Sequence, residues 1–273
     1  MNEDDLSARL QKVNLTNEEE DNIVITAANR GSALEECSLS LLGRFLTQKP
    51  INFRVARSTL RLAWRMGDDV RIVEVGNGLL QFRFAHAFQM KWVMEHGPWN
   101  FDNHLLVLRP WEWGLTAATT TFTHALFWVQ IWGLPFDLMD PGVGETIGHN
   151  LDNFVLVDKR SEFMDSASFL RIRVEIPIAK PLRRGGYILS PEGEQVWVQY
   201  KYERLPLFCH SCGRLGHSVQ VCTHTTPPTN DVAASVLPYG EWLRASPSSR
   251  PIFQRSLRGG VSQSSPHPTT NPV

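Results

Sequence analysis

Three cysteines and a histidine stand close together at Cys209, Cys212, His217 and Cys222, with gaps of two, four and four residues. Thiolate and imidazole are ligands that zinc takes in a tetrahedron of four. The short first gap lets Cys209 and Cys212 reach one ion from a single tight turn. Gly213 and Gly216 fall inside the loop, where a backbone folded closely around an ion needs conformations that a Cβ would strain. A segment this short has no core, so metal binding would supply its folding energy. The spacing predicts a Zn2+ knuckle with these four side chains as ligands. His210 and His224 lie nearby but are surplus to a complete set.

Four protein ligands leave the ion no open position for water, which points away from hydrolysis at the metal. The sequence contains no Gly-x-x-x-x-Gly-Lys loop, no His-Glu-x-x-His and no Gly-x-Ser-x-Gly. The expectation is a binding protein, not an enzyme. Zinc knuckles commonly grip single-stranded RNA or DNA by stacking bases and pairing phosphates with basic residues. Phe208 or His210 would stack here and Arg214 would meet phosphate. The alternative is a purely structural zinc in a protein-interaction module.

The elements that must carry this knuckle begin at Cys37. Residues 40–46 read as a strand, followed by Pro50 and a helix N-cap at Asn52. Phe53, Ala56, Leu60 and Trp64 then recur at helical spacing and should face a core. Residues 70–75 and 79–84 read as strands joined by the turn Gly76-Asn77-Gly78. A helix over 86–95, ended by Gly97-Pro98, and a last strand over 104–108 complete a β-α-β-β-α-β order. The predicted class is α+β. An acidic, mostly disordered arm spans 1–36, the split β-α-β-β-α-β domain 37–110, and a linker 111–125. A second small β-rich block spans 126–206, the knuckle 207–223, and a disordered Pro/Ser/Thr-rich tail 224–273. Within the second block, residues 127–132, 154–157, 169–176 and 196–202 read as strands and 143–149 as a short helix.

Two further surfaces suit a nucleic acid. Arg54, Arg57, Arg61 and Arg65 form one helical stripe, which reads equally as a phosphate track or a solvated face. Period-two alternation puts Arg171, Arg173, Trp197 and Lys201 together if their strands share a sheet. That basic face with one aromatic reads equally as a binding surface or as ordinary cross-strand pairing with Glu175 and Glu203. Phe82 and Phe84 alternate toward a core. Trp99, Phe101, Trp128 and Trp132 are expected to pack between the two blocks.

Net charge is −1 over 273 residues. Residues 1–36 hold nine acids against three bases, hence −6, and subtracting this from −1 leaves +5 for the body. The clustered cysteines suit a reducing compartment, and neither a signal-peptide pattern nor a membrane-length apolar run is present. An intracellular protein without a small-molecule substrate is expected.

Four segments carry a resemblance: Pro50-Ile51-Asn52-Phe53, Gly97-Pro98-Trp99-Asn100-Phe101-Asp102-Asn103-His104, Trp128-Val129-Gln130-Ile131-Trp132-Gly133-Leu134-Pro135, and Tyr202-Glu203-Arg204-Leu205-Pro206-Leu207-Phe208-Cys209. With the knuckle, they resemble the plant DUF4283 proteins with a CX2CX4HX4C zinc knuckle. These are similar to the gag-like nucleic-acid-binding part of LINE-type retroelements. The resemblance implies an RRM-like first domain, binding of zinc and nucleic acid, and a nucleus more than a cytoplasm.

Overall fold

The computed structural model describes Thr16, Glu19 and residues 21–158, 168–224 and 237–246. Residues 1–15, 17, 18 and 20 of the arm, residues 159–167, and the tail at 225–236 and 247–273 lie outside the described residues. A short helix, α1 (Ala33–Ser38), ends the arm.

The first block follows its sequence pattern. Strand β1 (Ser40–Leu46) leads to helix α2 (Phe53–Trp64), where the Asn52 side chain accepts from the Val55 amide at 3.3 Å. The 3.6-residue period buries Ala56, Leu60 and Trp64 on one side. Strands β2 (Val70–Glu74) and β3 (Leu79–Phe84) form the expected hairpin, and helix α3 (Ala87–Glu95) follows. The sequence reading missed β4 (Trp99–Phe101), which pairs with β5 (His104–Pro110) across a turn at Asp102 and Asn103. Both turn residues have positive φ, 48° and 61°, as two-residue hairpins prefer. The sheet order is β2-β3-β1-β5-β4, all antiparallel. Phe82 and Phe84 pack against Trp64 inside, as expected. Trp99 also lies against Trp64, and Phe101 against Phe45, so both rings belong to this core; Arg204 of the second block lies over the Trp99 ring at 5.6 Å, so Trp99 reaches the seam as well.

The second block runs β6 (His124–Trp132), α4 (Pro141–Leu151), β7 (Asn153–Val157), β8 (Phe169–Pro177), β9 (Gly185–Leu189) and β10 (Gln195–Tyr202). Its order is β7-β8-β6-β10-β9. Strand for strand, this is the order of the first block: β6 stands for β1, β8 for β3 and β10 for β5. The second block is therefore also RRM-like, with one difference. Among the described residues, no helix joins β8 to β10 where α3 joins β3 to the β4–β5 hairpin.

Other parts of the chain close that apolar face. Ile147 and Leu151 of α4 cover Leu170 and Ile172. The same cluster holds Leu105 and Val107 from β5, Leu182 from the loop, Phe208 and Leu215 from the knuckle, and Leu243. Leu243 is fully buried, so the tail is not disordered throughout: 237–246 returns to the body. Tyr202 bridges Arg244, and the Ala245 amide donates to the Tyr202 carbonyl at 3.0 Å. Four large apolar side chains, Leu237, Tyr239, Trp242 and Leu243, stand in that segment. Burying one of them offsets the ordering of a short strap.

The side of the first sheet opposite α2 and α3 is also covered. Gln81 donates to Ser40 at 3.1 Å, and Arg83 pairs with Glu36 of α1 at 2.6 Å. Arg44 lies over the Phe122 ring, while Leu105 and Val107 enter the second core. An RRM reads RNA on this side of its sheet. Here the side is a wall between parts of the same chain.

Candidate metal centre and its surroundings

The ligand atoms of Cys209, Cys212, His217 and Cys222 all lie within 4.8 Å of one another. Zinc–sulfur bonds of about 2.3 Å set a tetrahedral edge of roughly 3.8 Å, so the four fit one ion with a small contraction. The Cys212 Sγ already stands 3.3 Å from the His217 Nε2. The Cys212 amide donates to the Cys209 sulfur at 3.5 Å, and the Gly213 amide donates to the Cys209 carbonyl at 2.8 Å. These bonds make the turn that the two-residue gap required.

Burial pushes the Cys212 thiol up to about 11. Burial also opposes ionisation of Cys222, but hydrogen bonds from His217, the His224 backbone and the neighbouring thiols bring it down to about 7. A divalent ion would hold all three sulfurs as thiolates, releasing protons on uptake. The donor set thus suits zinc in a closed, structural site.

The knuckle is wedged into the body and does not hang from it. The Leu207 amide donates to the Asn103 carbonyl at 2.7 Å, and Leu182 donates to the Gly213 carbonyl at 2.8 Å. Gly216 sits at φ +87°, and a Cβ there would meet Leu46 Cγ at 2.7 Å. Gly213, at φ +73°, has Tyr239 against it where a Cβ would stand.

This wedging changes the roles read from sequence. Phe208 is 2% exposed and belongs to the second core, so it is not a stacking residue. The His210 ring lies against Phe208 at 4.8 Å and its Nε2 stands 3.3 Å from Glu241. Arg214 remains at the surface, with its guanidinium 2.8 Å from His224.

The second sheet brings Arg171, Arg173, Trp197 and Lys201 onto its side opposite α4, as the alternation implied. Their environments differ. Arg173 is 4% exposed and donates to the Met94 and Glu95 carbonyls at the end of α3. Burial, then the neighbouring Arg171, lowers its pKa to about 10. Arg173 is a bolt between blocks and cannot meet a phosphate. Arg171 is held by Asp158 at 2.6 Å and Glu203 at 2.8 Å and lies over the Trp128 ring at 3.6 Å. Burial opposes its charge, but the two carboxylates outweigh burial and raise its pKa. Trp128 does stand at the seam between blocks, as expected. A cavity of about 690 Å³ opens there, lined by Trp128, Asp158, Arg171, Glu203 and the end of α3. Trp132 instead faces outward beside Phe169.

The arginine stripe on α2 is divided. Arg57 lies 3.8 Å from Glu74, and Arg61 donates to the Val70 carbonyl at 3.2 Å. Arg54 and Arg65 are exposed, and Arg65 caps the helix in the left-handed region. Among the described residues, no helix is long and apolar enough to cross a membrane.

Comparison with known proteins finds two matches along the chain. A domain of unknown function, DUF4283, matches residues 33–118, and a zinc knuckle matches residues 176–224. The second match begins at the end of β8, so β9 and β10 travel with the metal ligands. An uncharacterized protein of Arabidopsis thaliana is 27% identical over 132 residues, covering 48% of this chain. The chain spans about two-fifths of that relative, 41% of its length. Among solved structures, the N-terminal three RNA binding domains of the yeast splicing factor Prp24 align over 52% of this chain and 55% of theirs. They share 10% identity, with a TM-score of 0.22. The first two RRM domains of the yeast poly(U) binding protein Pub1 align over 60% of this chain and 98% of theirs, at 7% identity and a TM-score of 0.21.

Proposed function

Starting from a chain that carries a DUF4283 domain and a zinc knuckle, we propose that it is a zinc-dependent binding protein for single-stranded RNA or DNA. Binding is mostly independent of sequence, the fold is retroelement-derived, the working compartment is the nucleus, and the protein is not an enzyme. The observation that carries this reading is the closed Cys3His cluster, in a knuckle set beside a sheet with outward aromatic and basic side chains. Such sets combine phosphate neutralisation with base stacking. The acids concentrate in residues 1–36 and the rest of the chain carries a formal charge of +5, so the whole-chain value of −1 understates the local pull on phosphate.

The test is a salt titration of the full, zinc-loaded chain against a labelled single-stranded oligonucleotide. Contact with about four to six phosphates predicts a slope of log affinity on log salt near −3 to −4. No binding at low salt would sink the reading.

One observation favours a second reading, a protein-interaction module with a purely structural zinc. Phe208 is spent on the core, and both knuckle glycines are packed against other parts of the chain. On that reading the ion serves only to hold the wedge.

A further inference from the structure

On the second sheet, the side away from α4 carries aromatic rings that neither core uses. Trp132 and Phe169 are direct partners on β6 and β8, with ring centroids 4.9 Å apart. Across β6, Trp197 of β10 faces Tyr187 of β9, edge-on at 5.0 Å. Trp197 is 48% exposed and Tyr187 66%. The Trp197 ring lies down on the backbone of β9, where a Cβ on Gly185 would come 2.6 Å from its Cζ2. Lys201 of β10, opposite Gln130, reaches the first pair with its Nζ 4.4 Å from the Trp132 ring. At the other end of the same side, Arg171 is neutralised by two carboxylates and Arg173 is bolted to α3. Aromatic area and an ammonium group therefore concentrate at the end remote from the first block.

We propose that this end of the second sheet is a base-stacking platform for single-stranded nucleic acid, with Lys201 placed to meet a backbone phosphate. It rests on the function proposed above and assigns the surface that performs it. From β8 to β9 the rings cross three strand spacings, roughly 14 Å. A four-stranded sheet of this order stacks two or three bases across such a width. The strand positions agree: β6 and β8 are the equivalents of β1 and β3, whose own bare side is walled off. Flat rings beside a cation match the π-faces and phosphates of an unpaired strand, which every base offers regardless of sequence.

The full zinc-loaded chain is titrated with a labelled mixed-sequence single-stranded oligonucleotide, as wild type, Tyr187→Ala/Trp197→Ala, Trp197→Phe and Lys201→Ala. Each lost stack should weaken binding by about tenfold. The double variant should keep the wild-type salt slope, whereas Lys201→Ala should flatten it by about one. Trp197→Phe should keep most of the affinity. Zinc stoichiometry and circular dichroism check the fold of each variant. Photocrosslinking of a bromouracil oligonucleotide to wild type, with peptide mapping, gives a readout that needs no variant; crosslinks are expected at Tyr187 and Trp197. Wild-type affinity in the double variant, or crosslinks confined to the knuckle, would overturn the platform and leave nucleic-acid binding standing. Failure of the wild type to bind would remove both and leave these rings to a protein partner.

Discussion

The two blocks share one strand order and differ in what happens to the bare side of the sheet. In the first, α2 and α3 close the apolar side without help, and the opposite side is walled in by α1, Phe122 and the second core. In the second, one helix covers only part of the apolar side. The rest is completed by residues borrowed from β5, the knuckle and the tail, while the bare side keeps Trp197 and Tyr187 in water. Strand order alone thus does not say which surface can take a ligand. What fills the place of the second helix decides it.

The largest expected effect removes the borrowed closure. Chelating zinc from the full chain, or replacing Cys212 by Ser, should unfold the knuckle. Structural zinc supplies on the order of 10–16 kcal/mol to segments of this kind. Hydrogen exchange should then show β6 and β10 losing protection while β3 and α2 keep most of theirs. Equal losses in both blocks would erase the distinction. A smaller step in the same direction is Phe208→Ala, a core truncation expected to cost about 3–5 kcal/mol. Its denaturant midpoint should fall with zinc still bound; a midpoint unchanged from wild type would mean that Phe208 does not close the second core.

The seam between blocks offers a finer test. Arg173→Ala removes hydrogen bonds from a charged donor to two carbonyls, each kind worth about 1.5–3 kcal/mol. Unfolding should change from one cooperative transition toward two, and the salt slope for oligonucleotide should stay as in wild type. A flatter slope at unchanged stability would restore Arg173 to the phosphate contacts.

The metal ligands were legible because four groups that bind one ion from one loop must stand close in sequence. The first block was legible for a related reason: Asn52, the helical period to Trp64 and the Gly76-Asn77-Gly78 turn act locally. The missed features depend on distant partners. Alternation placed Arg171 and Arg173 side by side correctly, yet nothing local tells that Asp158 and Glu203 flank one and the end of α3 receives the other. Strand β9 opens with two glycines, a poor strand signal, and Gly185 is there because Trp197 lies over it. Phe208 looked like a stacking residue beside the first ligand, and only the packed knuckle shows it facing inward. The segment 237–246 was hidden by the Pro- and Ser-rich sequence around it.

That last segment has a practical consequence. A boundary drawn just past Cys222 looks natural from the ligands, but it would strip away Leu243, Tyr239 and the Arg244 side chain that donates to the Leu205 and Pro206 carbonyls. The shortened product would keep every metal-binding atom and still present a raw oily notch to solvent, the kind of surface that makes a fragment clump. A fragment that keeps the second core closed therefore has to reach past Leu243 and Arg244 and not stop at the final cysteine.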